Sequence, residues 1–266
     1  MLALFNQVRD PYERKARVFP GLLTALPLLV PLLWIFGPRN PVLTALLGLV
    51  ASCGAIYALA SIARGRGKRL EERLVSEWGG MPTTLILRHR DSFLDPYSTA
   101  RYHSLITAKL GIVMPSRQDE QEDPASADQL YVGATRQLRE ATRGSKHALL
   151  LKENIAYGFH RNMLAMKPMG ITTCCVGIPA GLLLSHAVTF WPLSFNASAL
   201  LSPGGAGGVT LVASLTILCA WLYFTPKQVK QMGYVYAERL FESLSQLPNR
   251  RPRSKVVQQD VADNAS

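Results

Sequence analysis

From position 168 to 226 this chain carries no Asp, Glu, Lys or Arg. Two further stretches, 18–38 and 40–63, are equally free of charge. A helix in water must show a charged face, so such gaps are rare outside membranes. Bulk composition alone would not decide the matter. The 266 residues are 48% hydrophobic with a mean hydropathy of +0.11, values that soluble domains also reach. The segregation of charge decides it, and predicts a multi-pass membrane protein.

The pattern predicts a mainly α fold: four transmembrane helices in two hairpins, with a mostly helical cytoplasmic insert between spans 2 and 3. A cytoplasmic N-terminal arm covers 1–17, the first hairpin 18–63, a basic cytoplasmic domain 64–167 and the second hairpin 168–226. A cytoplasmic amphipathic helix follows over 227–247, then a disordered tail over 248–266. The spans themselves are expected at 18–36, 42–63, 170–190 and 209–224. The first apolar run is about 21 residues and follows a charged arm, unlike a cleavable signal peptide.

Charge bookkeeping gives the orientation. Of 29 Lys and Arg, 28 fall in the arm, the insert or the tail, and only Arg39 falls in an outer turn. The positive-inside rule then places both termini in the cytoplasm. Net charge is +11. Anchoring alone accounts for it, and so does an anionic partner such as lipid headgroup, nucleotide or nucleic acid.

Within the insert, Trp78-Gly79-Gly80-Met81-Pro82 should end a helix entering from the membrane. Residues 83–87 alternate weakly and suggest a short strand. Asp95-Pro96 should cap and open a helix that stops at Gly111. Residues 116–123 suggest an acidic loop. Pro124 opens another helix, and a last one, 146–167, leads into the third span. After Pro226, Val229, Met232, Tyr236, Leu240, Leu244 and Leu247 form one apolar stripe, expected to pack on the insert or on another subunit.

Arg88, Arg90, Arg101, Arg143, Lys146, Tyr157, His160 and Arg161 are the candidate ligand-binding residues, a cationic surface with interleaved aromatics. An ordinary cytoplasmic face beside anionic lipid would look the same. Pro27, Pro31, Thr173 and His186 are the candidate pore or gate residues. Each proline frees a backbone carbonyl that needs a neighbouring helix or water. A bent helix and plain helix packing remain the simpler explanations. The four cysteines lie in apolar stretches without metal-ligand spacing, so neither a metal nor a cofactor is expected. No nucleotide-loop, zinc-protease or nucleophile-elbow motif is present. Enzymatic activity through His89, His103 or His160 therefore has no motif behind it.

Two segments stand out: W-G-G-x-P-T-T at 78–84 and E-N-x-x-Y-G-F-x-R-N at 153–162. Placed between pairs of spans, they resemble a group of bacterial membrane proteins that includes channel-type effectors of anti-phage defence, such as the membrane component of Hailong. The resemblance covers about 64–190, and His160 departs from the Arg expected there. It implies a homo-oligomeric channel controlled by a nucleotide or oligonucleotide ligand. The alternative is a membrane-anchored sensor or scaffold without a pore, bound to a cytoplasmic protein partner.

Overall fold

The computed structural model describes residues 10–36, 41–50, 54–143, 147–191, 193–201 and 205–248. Lys146, the outer turn at 37–40, residues 51–53 of the second expected span and the tail from 249 lie outside the described residues. The chain is mainly helical and divides into two compact units. The first holds residues up to 82 and 148–236; the second holds 83–147 and the chain from 237. The second unit is thus narrower than the 64–167 segment marked by charge.

The first unit begins with a π-helical segment, Glu13–Val18, that runs directly into helix α1, Phe19–Phe36. Helix α2 is Pro41–Val50, and α3 is Ile56–Trp78. Gly79 ends α3 in a left-handed conformation (φ 75°), as Gly-Gly-Met-Pro leads one to expect. The next membrane helix of this unit is Ala148–Leu184, labelled α8 below, a single rod of 37 residues. It joins the expected last insert helix and most of the third span without a break. A short antiparallel hairpin, β1 Val188–Phe190 with β2 Leu193–Phe195, connects it toward α9, Ala206–Tyr223. Helix α10, Pro226–Glu242, starts in this unit and ends in the other.

α8 is the central element, packed against α9, α1, α3 and the π segment. Trp221 of α9 is fully buried against Gly170, where a Cβ would collide with the indole. Ala63, Met163, Met166, Cys174, Ile217 and Phe224 complete that core. The outward faces stay apolar: Leu33 is 48% exposed, Val176 53% and Val212 64%. Such surface suits lipid rather than water. Three helical stretches are long and apolar enough to cross a membrane, Glu13–Leu33, Ala148–Leu184 and Ala206–Tyr223. That is the pattern of a membrane protein.

The third expected span ends early. α8 stops at Leu184, His186 takes a positive φ of 56°, and the hairpin occupies 188–195. Ser185 Oγ donates to the Leu182 carbonyl at 3.0 Å, so a local side-chain bond takes over where the helix stops.

In the second unit, α4 (Pro82–Leu85), α5 (Pro96–Leu110), α6 (Arg117–Glu122) and α7 (Pro124–Ala141) pack with the chain from Ala237. Ile86, Leu87, Ile106, Tyr131, Leu138, Leu240, Phe241 and Leu244 form its core. The expected cap of α5 is present: Asp95 accepts from the Ser98 N–H, and Gly111 ends the helix at φ 70°. Two expectations fail here. Residues 83–87 form a helical turn rather than a strand. Every one of them is buried, so the weak alternation had no exposed face to report. Residues 116–123 are not a loop, because Ser116 and Asp119 close a reciprocal capping box that opens α6.

Candidate functional site

Helix periodicity puts Tyr157 and Arg161 one turn apart on α8, with Gly158 and Asn162 on the adjoining line. These are the motif residues at 153–162, and they face inward. Tyr157 is 5% exposed, Arg161 9% and Asn162 0%. Glu71 of α3 receives both neighbours: Tyr157 donates its hydroxyl to Oε1 at 2.7 Å, and Arg161 donates an N–H to Oε2 at 2.9 Å. The Arg161 guanidinium also lies 5.9 Å from the centre of the Tyr157 ring. Tyr236 of α10 stacks on that ring at 6.4 Å and 14°.

Asn162 performs a second task. Pro20 has no N–H, so it cannot give the Ala16 carbonyl its α-helical bond. The Asn162 side-chain amide donates to that carbonyl at 2.6 Å. Its Oδ1 accepts from Arg161 Nε at 3.3 Å. Space for this junction comes from two glycines. A Cβ on Gly67 would strike the Asn162 amide, and one on Gly158 would lie 2.7 Å from the Tyr12 hydroxyl. The result is one buried polar junction tying the π segment, α3 and α8 together. The π segment ends at Val18, two residues before Pro20; π turns inside α-helices are frequent at functional positions.

The second unit contains its own buried network, centred on Glu120, which is 2% exposed. Tyr131 donates its hydroxyl to Oε2 at 2.6 Å, and the His89 N–H donates to the same oxygen at 2.8 Å. Arg90 reaches Oε1 with its backbone N–H at 3.2 Å and its guanidinium at 2.9 Å. Burial pushes the Glu120 pKa up, but these bonds outweigh it and hold the carboxyl below its ordinary value. Burial and then the Glu120 hydrogen bond raise the Tyr131 hydroxyl. His103 meets the Leu87 carbonyl at 2.7 Å and the His89 ring at 4.7 Å. Burial is the main cause that lowers its pKa.

The candidate ligand residues are therefore spread over both units. Arg88 and Arg90 already hold Asp128, at 2.7 and 2.9 Å, and Arg88 also faces Asp91 at 3.5 Å. Their positive charge is balanced inside the second unit. Arg101 and Arg143 are exposed in the same unit. Tyr157 and Arg161 belong to the first unit and are committed to Glu71. His160 sits beside Phe159 and Phe224, with Nδ1 2.9 Å from the Ala156 carbonyl. Of the gate candidates, Pro27 and Pro31 are buried, and a Cβ on Gly177 of α8 would meet the Pro27 carbonyl at 3.1 Å. That is the carbonyl Pro31 leaves without its helical donor. Thr173 donates back to Gly170 of its own helix at 2.9 Å. His186 is exposed, at the end of α8.

Sequence reasoning missed Glu71, Glu120, Asp128 and Tyr131, and named Asn162 only as the last residue of the 153–162 motif, with no role. Glu71 follows Gly67 by one turn, so a small residue and a carboxylate share a face of α3; that was the available signal. Nothing in the local sequence joins Glu120 to Tyr131. Among the described residues, no group of three His, Cys, Asp or Glu is placed to hold a metal ion. No family model, curated protein or solved structure matches this chain.

Proposed function

We propose that the chain is an inner-membrane effector with four spans in two hairpins and both termini cytoplasmic. In this reading it assembles as a homo-oligomeric channel, opened by an anionic nucleotide or oligonucleotide ligand on the second unit. Anti-phage defence is the setting that the two motifs imply. One observation carries the reading. α8 begins at Ala148, the residue after the second unit's 83–147 segment, and runs as one rod into the charge-free stretch as far as Leu184. A displacement imposed at its start is delivered into the span without an intervening loop. The Glu71–Arg161 and Asn162–Ala16 bonds are the latch that such a displacement would have to break.

A second reading is a membrane-anchored sensor or scaffold without a pore, bound to a cytoplasmic protein. Its support is the internal pairing of Arg88 and Arg90, which leaves Arg101 and Arg143 as the exposed candidate cations outside those ion pairs among the described residues. Ion flux from proteoliposomes separates the two. The channel reading expects flux that rises with added nucleotide or oligonucleotide. Sealed vesicles under every ligand, with a monomer or dimer in detergent, would leave only the second reading.

A further inference from the structure

A crevice of about 450 Å³ opens between α3 and α8 in the first unit. Its walls are Leu70 and Leu74 from α3, and Leu164, Pro168 and Ile171 from α8. Arg73 and Lys167 supply cations at its edge, with Glu77 the one carboxylate, and Pro226 closes it. Its level along the chain is informative. Pro168 and Pro226 are the two ends of the longest charge-free stretch, and both line this crevice. The crevice therefore spans the step from charged to purely apolar sequence, where a phospholipid's phosphate meets its first acyl carbons.

The cations are available at that edge. Arg73 gives Nε to Glu77 at 2.8 Å, and its side chain is 77% exposed, leaving the open end of the guanidinium fork toward solvent. Lys167 donates to the carbonyls of Phe224 at 3.0 Å and Leu222 at 3.4 Å. An ammonium has three donors, so one N–H remains. Those two carbonyls also fix the ammonium in place, which reduces the entropy lost when it takes an anion. We propose that this crevice binds one anionic glycerophospholipid, its phosphate between Arg73 and Lys167 and its upper acyl chain against Leu164, Pro168 and Ile171. The volume falls in the range of formed ligand pockets, larger than a free phosphate needs. The apolar wall argues for a lipid over a free phosphate, and the two cations argue against a headgroup without net charge. A lipid seated there would bridge α3 and α8 within two turns of the Glu71–Arg161 pair.

The test uses the full chain in detergent and counts bound lipid by native mass spectrometry. The probes are dioctanoyl phosphatidylglycerol, dioctanoyl phosphatidylcholine and inorganic phosphate. A single-copy adduct is expected with phosphatidylglycerol at least about fivefold tighter than with phosphatidylcholine. Removing one cation should weaken it by about fivefold. Arg73→Gln is the primary variant because the side chain is exposed and its loss leaves the fold intact. Lys167→Gln is the second. Arg64→Gln, on the exposed face of α3 outside the crevice, should change nothing. Equal affinity for both lipids, an equal loss with Arg64→Gln, or full competition by millimolar phosphate would each overturn the proposal. None of these readouts depends on whether the protein conducts ions.

Discussion

Replacing Glu71 by Leu should do more damage than replacing Glu71 and Arg161 together. The single change leaves the Arg161 guanidinium buried without a counter-ion and the Tyr157 hydroxyl without an acceptor. Removing one partner of a buried pair costs about 3–5 kcal/mol. Here the side chains retain 21% and 11% of their exposure, so solvent still screens the pair and the low end applies, about 3 kcal/mol. For a chain of this size that is a fall in Tm of about 6–12 °C. In Glu71→Leu with Arg161→Met no charge is stranded, and most of the loss should return. Glu71→Gln keeps one acceptor oxygen for the Arg161 N–H, while its NH2 can only donate to the Tyr157 oxygen with that bond reversed, and it should fall between the two. Arg161→Met alone supplies the remaining corner, and thermal unfolding of all five proteins in one detergent, followed by tryptophan fluorescence, closes the cycle. If the single variant melts within about 2 °C of the parent, or if the two substitutions simply add, the junction is not an interacting unit and the latch argument is refuted.

Three further outcomes follow from the same contacts. Asn162→Ala should cost about 1–3 kcal/mol by orphaning the Ala16 carbonyl, and adding Pro20→Ala should recover part of it by restoring a backbone donor; no recovery in the melting curve would mean that carbonyl is satisfied otherwise. Gly170→Leu drives a side chain into Trp221, and overpacking should cost about 1–3 kcal/mol or more, seen as lost thermal stability and a shifted indole emission. Acid should loosen the second unit. His103 has a folded pKa below 6.5, so its contribution is full above about 6.5 and is lost as pH falls through the folded value. Glu120 is likewise depressed below its usual 4.5; its contribution is full above that value and is lost as pH falls through the folded one. Amide protection factors over 83–141, corrected for the intrinsic pH dependence of exchange, should fall on acidification, and Glu120→Gln should blunt the lower part of that profile.

Much of the helical layout was legible because its signals are local. Asp95-Pro96 and Gly111 bound α5, Gly79 ends α3, and the stripe after Pro226 marks α10, each through backbone geometry that one or two residues dictate. The errors came where local pattern was thin. Residues 83–87 are buried on all sides, so alternation carried no information. The capping box at Ser116 was hidden inside a run of acids that looks like solvent-exposed loop.

The site was legible only by half. The motif at 153–162 drew attention to Tyr157 and Arg161, and the prolines announced carbonyls in need of donors. Sequence could not say which donor, because Asn162 and Ala16 are brought together by the packing of α8 on the π segment. Nor could it tell that the arginines at 88 and 90 are neutralised, since Asp128 and Glu120 lie some 30 to 40 positions away. What the sequence determines by itself is where charge is forbidden, and therefore which segments can meet lipid; that follows from the cost of placing ions in an apolar medium. Which polar groups end as free surface and which as internal pairs is decided by tertiary structure, because pairing depends on distances that only the packed helices set.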